Sequence, residues 1–366
     1  MKTVISVVGA RPNFMKVAPI ARALARYSST IRHLIVHTGQ HYDFKMSDAF
    51  FQDLNMPSPA YFLGAGSGSH AVQTAKIITE FEKVCLEEKP DLVLVAGDVN
   101  STIACALVSV KLGIKTGHIE SGLRSGDRSM PEEINRIATD SICDYCFVTE
   151  KSGEEHLLAA SFPKENIFFV GNTMIDSQYY AIEKARAARV WQRLALEPKS
   201  YALMTVHRPS NVDDPVQLKR LLEVFREISI YRKLVFPVHP RTRKNIELFG
   251  LKQLADSIPD LILCDPLGYI DFLSLMSEAD YVLTDSGGIQ EETTALGIDC
   301  LTIRTTTERP STIELGTNRL ICPEPELIIE AVRSLFEQPR KKGSCPPMWD
   351  GHASDRIAEI IKEILL

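Results

Sequence analysis

The segment PDLVLVAGD, residues 90–98, limits how this chain can fold more than any other feature. Its five consecutive apolar residues offer no polar face to water, so the segment must be covered on both sides. The pattern recurs. Apolar runs at residues 3–8, 34–38, 116–119, 145–149 and 167–170 read as buried strands, and the series resumes at 202–206, 234–238, 261–264, 281–284 and 300–303. Amphipathic stretches such as 17–27, 71–88 and 101–112 lie between them with helical periodicity. Strands rich in Val, Ile and Leu that alternate with helices indicate parallel sheet, so the expected class is a doubly wound α/β fold.

A length of 366 residues exceeds one ordinary core and predicts two domains. The boundary falls near residues 171–176, with residues 1–171 forming the first domain and 172–349 the second. A charged helical stretch at 181–196 bridges them, and a Pro/Gly turn, GSCPPMWDG, leads into a last amphipathic helix at 354–366. The net charge of -6 supplies no attraction for nucleic acid or an anionic membrane. No segment approaches about 18 uninterrupted apolar residues, and the apolar run before Gly9 is too short for a signal segment, so a cytoplasmic protein is expected. Of the eight cysteines, Cys143 and Cys146 form a lone CxxC without the second pair a zinc site needs, and they read as small buried hydrophobes.

Open parallel sheets place ligands at the loops that follow their strands. VVGARPNFMK follows the first. Gly9 permits a tight turn, Pro12 suits a helix start, and Arg11 and Lys16 put cations where a phosphate would bind; a helix start with solvated charges accounts for them equally. There is no GxGxxG, so no nicotinamide cofactor is expected. In AGDVNST, Asp98 stands directly after a strand, either facing a ligand or satisfying loop amides. In YVLTDSGGIQEETTALG, Ser286, Gly287 and Gly288 open a helix whose amides can approach an anion, and Glu291 or Glu292 can accept sugar hydroxyls. Phosphate and ribose recognition together describe a nucleotide site. His207 with Arg208, and His239 with Arg241 and Arg243, follow two further strands and favour an anionic ligand; no HxH or HExxH spacing suggests a metal.

The segment HIESGLRSGDRSMPEEINR, residues 118–136, is the densest in charge. Glu120 ends a strand. Ser129 and Glu132 have the spacing of a capping box, Glu132 and Arg136 that of an i,i+4 pair, and Glu133 reads as solvated or structural.

Ten motifs in order, GARPNFMKVAP, TGQHYD, AGDVNST, HIESGLRS, MPEEINR, GNTMID, TVHRPSNVDDP, VHPRTR, TDSGGIQEE and TTERPSTIELGTN, resemble the non-hydrolysing UDP-N-acetylglucosamine 2-epimerases from about residue 4 to residue 320. The resemblance implies two Rossmann-like domains facing across a cleft, a GT-B-like glycosyltransferase architecture, with residues 350–366 returning to the first domain. It implies interconversion of UDP-GlcNAc and UDP-ManNAc, with no metal or other cofactor, in a homodimer that serves cell-surface polysaccharide synthesis. The C2 hydrogen of the sugar is not acidic. The implied route therefore expels UDP while a base takes the C2 proton, giving 2-acetamidoglucal, and then re-adds UDP with a proton on the opposite face.

Carried over by position, Asp98, Glu120, Glu132 and His207 match catalytic groups, with base and acid unassigned among the carboxylates. Arg11, Lys16 and Arg136 match cations of the same cleft. His239, by its motif, joins the nucleotide site; Ser286, Gly287 and Gly288 match the pyrophosphate loop, Glu292 the ribose acid, Phe272 a residue beside uracil, and Arg309 a further cation.

The chain also departs from the commonest family pattern. Asn13 replaces an acid, and HRPSN replaces HRREN. Gln40 and His41 of an activator site are kept, but Asp43 and Ser69 depart from it, which counts against allosteric activation. Epimerases of UDP-2,3-diacetamido-glucuronate share similar motifs, and hydrolysing relatives share the site residues. A glycosyltransferase of this architecture would not need to cluster Asp98, Glu120, Glu132 and His207, and a mere binder would not need proton-transfer groups.

Overall fold

The computed structural model describes residues 1–40 and 53–366. The chain divides into two compact units, one formed by Met1–Ala181 with Pro347–Leu366, the other by Ile182–Pro346.

The sheet of the first unit contains β1 (Lys2–Val8), β2 (Ile31–His37), β3 (Tyr61–Phe62), β4 (Leu92–Ala96), β5 (Lys115–Ser121), β6 (Tyr145–Val148) and β7 (Ile167–Phe169). Their order is β3-β2-β1-β4-β5-β6-β7, and every pairing is parallel. Ile5, Val7, Val93 and Val95 pack with Ile77 and Phe81 of the helix His70–Glu88 in one apolar core. The short strand β3 escapes sequence reading because two residues carry no periodicity.

The second sheet contains β8 (Tyr201–Thr205), β9 (Lys233–Pro237), β10 (Leu261–Cys264), β11 (Tyr281–Thr284), β12 (Asp299–Ile303) and β13 (Asn318–Ile321). Its order, β10-β9-β8-β11-β12-β13, is again parallel throughout. Met204, Leu283 and Leu301 meet Phe225, Phe236 and Val332 in its core. β13 opens with Asn-Arg, which hides it from a search for apolar runs.

Both orders reverse direction once, between β1 and β4 and between β8 and β11. Such switch points part the connecting helices and leave a crevice at the strands' C-terminal ends.

The C-terminal segment is tied into the first unit by specific bonds. Trp349 is buried and its indole Nε1 donates to Thr149 O at 2.8 Å. The Asp176 carboxylate accepts the amides of Ala353 and Ser354 at 3.1 and 2.6 Å, satisfying the first amides of the helix Ala353–Leu365. That helix buries Ile357, Ala358 and Ile361 and packs against the helix Arg11–Ala25.

Candidate functional site

The polar side chains gather at the two switch points. In the first unit, β1, β4 and β5 lie side by side, so the residues that leave their C-terminal ends become neighbours although far apart in sequence. The helix Arg11–Ala25 follows β1. Its Asn13, where the family often has an acid, accepts the amides of Gly9 and Ala10 at 3.1 and 2.9 Å and donates to Ala96 O at 2.8 Å. An amide can bond in both directions at once, which a carboxylate cannot. One turn later, Lys16 extends to Glu120, and Nζ lies 2.6 Å from Oε1 in a pair buried on both sides. The Arg11 side chain, and with it His41 and Asp43, lies outside the described part of the molecule.

Glu120 reaches Lys16 because the strand is irregular there. Its φ is +67°, and the β5–β6 register shifts between Ile119 and Ser121, so Glu120 is the extra residue of a bulge. A bulge re-aims a side chain at a local conformational cost, and both are common beside active sites. Gly97, after β4, also has a positive φ, +68°, and a Cβ placed on it would lie 2.7 Å from Lys16 Nζ. A side chain there would be strained at that φ and would press on the Lys16 ammonium.

Asp98 follows Gly97. Arg136 Nη2 donates to its Oδ2 at 2.5 Å, and Arg136 Nη1 donates to Glu133 at 2.8 Å. Glu133 is buried and accepts the amides of Ser125 and Gly126 at 2.9 and 3.1 Å. Burial opposes its ionisation, but those amides, the Ser125 hydroxyl and Arg136 outweigh it and hold the carboxyl below the usual range. Glu133 is therefore a structural clamp on the loop, not a solvated residue. The expected capping box is absent: Met130 stands at the cap of the helix Pro131–Ile142, and the Ser129 hydroxyl donates to Asp127 instead, at 2.6 Å. Pro131 begins the helix one residue too late for Ser129 to cap it. Glu132 is half-exposed on the first turn.

Behind these groups lies a buried set that sequence reading missed. His118 Nδ1 is 2.7 Å from Asp140 Oδ1, His118 Nε2 is 2.8 Å from Gly97 O, and Arg124 Nη1 is 2.6 Å from Asp140 Oδ2.

In the second unit, His207 follows β8 and Asp285 follows β11. Asp285 is fully buried and accepts the amides of His207 and Arg208 at 2.9 and 2.8 Å and Asn211 Nδ2 at 3.0 Å, while His207 Nδ1 lies 3.1 Å from its Oδ1. Burial opposes ionisation, yet these bonds, with His207 foremost, keep the carboxyl below its ordinary value. Asp285 is another residue missed in sequence; the signal was an acid directly after a strand, the same one that marked Asp98. The His239 ring tilts against that of His207 with centroids 5.3 Å apart, and its Nδ1 accepts the Arg241 amide at 3.2 Å, capping the helix Pro240–Leu248.

Ser286 stands at the N-cap position of the helix Gly287–Leu296, with no capping bond from its side chain, and the helix starts at the switch point beside His207. Gly287 has no space for a Cβ, which would lie 2.6 Å from Glu308 Oε1, and Gly288 follows it in the first turn. The adjacent acids separate by partner. Glu291 lies 2.9 Å from Arg309 Nε, and Arg309 also pairs with Glu308, so this cation sits buried within the loop's own support. Glu292 instead accepts the Tyr269 hydroxyl at 2.8 Å. Phe272 is buried on the same helix as Tyr269, Tyr269–Glu278.

Two Rossmann-like units with parallel sheets, each with its polar groups at the switch point, define a GT-B-like α/β class; Acinetobacter baumannii MurG shares this fold at a TM-score of 0.56 and 13% identity, covering 99% of this chain and 100% of that one. A crystal structure of Methanocaldococcus jannaschii UDP-GlcNAc 2-epimerase in complex with UDP-GlcNAc and UDP matches at a TM-score of 0.90 and 41% identity, over 99% of this chain and all of that one. The UDP-2,3-diacetamido-2,3-dideoxy-D-glucuronate 2-epimerase of Pseudomonas aeruginosa is 38% identical over 99% of both chains. The profile of the UDP-N-acetylglucosamine 2-epimerase family matches residues 22–362. The chain belongs to that family, and its activity is that of an isomerase.

Proposed function

We propose that the chain is a non-hydrolysing 2-epimerase that interconverts UDP-GlcNAc and UDP-ManNAc. The observation that carries this reading is a pair of carboxylates at adjacent strand ends, Asp98 and Glu120, each aligned by its own cation, Arg136 and Lys16. Proton removal from one face of C2 and delivery to the other need at least two such groups. In the first half-reaction a base takes the C2 proton, the C–H electron pair forms the C1–C2 double bond, and the C1–O bond breaks with its electrons leaving on UDP. The second half re-forms C1–O and protonates C2 on the opposite face. Asp98, Glu120 and Glu132 share the proton-transfer roles. His207, with Nδ1 turned to Asp285, offers Nε2 to the ligand.

Ser286, Gly287 and Gly288 hold the pyrophosphate through amides at a helix start, Glu292 holds the ribose, and Phe272 and His239 flank the nucleotide. Arg11, Lys16 and Arg136 balance anionic charge, and Arg309 supports the loop from beneath. The enzyme acts as a cytoplasmic homodimer that supplies cell-surface polysaccharide precursors.

Incubation with UDP-GlcNAc in deuterated water tests the reading: deuterium enters C2 of substrate and product. Intact enzyme that exchanges no C2 hydrogen on any UDP-HexNAc would sink it. The likeness to the Pseudomonas aeruginosa diacetamido-glucuronate epimerase supports a second reading in which the substrate carries a C3 acetamido and a C6 carboxylate. NMR of products from the two substrates side by side separates them.

A further inference from the structure

His118 is completely buried, and both of its ring nitrogens face acceptors: the Asp140 carboxylate at 2.7 Å and the Gly97 carbonyl at 2.8 Å. A neutral imidazole has one N–H and one lone pair, so one of these contacts would set lone pair against lone pair. The other Asp140 oxygen, Oδ2, faces two donors, the Arg124 guanidinium at 2.6 Å and the Gly122 amide at 3.2 Å, an arrangement that suits an ionised carboxylate.

We infer that His118 donates from both ring nitrogens and is a positioning residue that locks the two strand ends bearing Asp98 and Glu120. This rests on the epimerase reading, in which those two carboxylates move the C2 proton. The His118 ring holds the Gly97 carbonyl, and Gly97 N donates to Ile119 O at 3.0 Å, so Gly97, the residue before Asp98, is tied to β5 through both its carbonyl and its N–H. The same Asp140 carboxylate accepts the Gly122 amide at 3.2 Å. It therefore grips β5 two residues before and two residues after the bulged Glu120. A residue at φ +67° is kept there only by surroundings that over-determine it. Arg124 completes the set as the countercharge on Asp140.

Reaction geometry is steep in distance, and a displacement of about 1 Å can cost about 100-fold in rate. His118→Asn keeps a donor near the position of Nδ1 and loses the one to Gly97 O; His118→Gln keeps a donor near Nε2. With UDP-GlcNAc in deuterated water, His118→Asn is expected to lower C2 exchange and kcat by about 100-fold, with KM within about two-fold of wild type. His118→Gln restores part of the rate. Asp140→Asn supplies the same comparison where a His118 variant does not fold. On the unmodified enzyme, ring 15N shifts of His118 show two N–H nitrogens.

An exchange rate in folded His118→Asn within two-fold of wild type, or a ring with one unprotonated nitrogen, overturns the assignment. Wild-type enzyme that exchanges no C2 hydrogen fails the epimerase reading instead, so the two failures are distinguishable.

Discussion

Lys16 Nζ and Glu120 Oε1 lie 2.6 Å apart in a buried pair, although they stand 104 positions apart in the chain. They meet because β1, whose following helix carries Lys16, and β5, which carries Glu120 at its end, flank β4 in the sheet. Removing one member of such a pair leaves an uncompensated buried charge, at a cost of about 3–5 kcal/mol. Lys16→Ala is therefore expected to lower stability by about that amount, read by urea titration, and to abolish C2 exchange. Little change in the unfolding midpoint would show that the pair is not held in solution.

Gly97→Ala tests the same pair from the turn. The added Cβ would stand 2.7 Å from Lys16 Nζ at a φ of +68°, so the variant has both strain and a clash. A loss of about 2 kcal/mol, with a larger proportional loss of kcat than of UDP affinity, is expected. Retained turnover would show that the turn yields without moving Lys16.

Asp285 makes stability depend on acid. Its folded-state value lies below the ordinary 3.8, so the ionised carboxylate stabilises the fold above that value. The contribution is lost as pH falls through the lower folded value. Wild type should exceed Asp285→Asn in urea midpoint at pH 7, and the gap should narrow below about pH 4. A gap that is constant with pH contradicts the bonding described for this carboxylate.

The two neighbouring acids of the nucleotide loop should behave differently. Glu291→Gln weakens the buried contact to Arg309 and is expected to cost stability, while UDP affinity stays within about two-fold. Glu292→Gln should weaken UDP binding by about ten-fold with a smaller stability change, the size expected for one charge-assisted hydrogen bond. Isothermal titration with UDP and thermal unfolding on both variants separate the roles. The reverse pattern would exchange the two assignments.

Much of the fold was legible because continuous apolar runs such as 92–96 leave a strand no alternative to burial on both faces. β3 and β13 were not legible, since one is two residues long and the other begins with Asn-Arg. Asp98 stood out because an acid directly after a buried strand is unusual; Asp285 occupies the equivalent place and was overlooked beside the more conspicuous Ser-Gly-Gly. For Glu133 the sequence left a solvated and a structural role open, because helical spacing alone cannot tell them apart. The loop at Ser125 and Gly126 folds its amides onto it, and no local pattern encodes that.

By itself, the sequence determined the strand-helix alternation, the parallel sheets that follow from it, and which loops carry acids, cations and glycines. Those are local properties, set by side-chain polarity and backbone freedom. Partnership was decided only in three dimensions: Lys16 with Glu120, Arg136 with Asp98 and Glu133, Asp140 with His118, and Glu291 rather than Glu292 with Arg309. The physical reason is that a charge out of water must find its counterpart at about 3 Å. Strand order, the bulge at Glu120 and the missing Cβ at Gly97 select that counterpart, not the number of residues between.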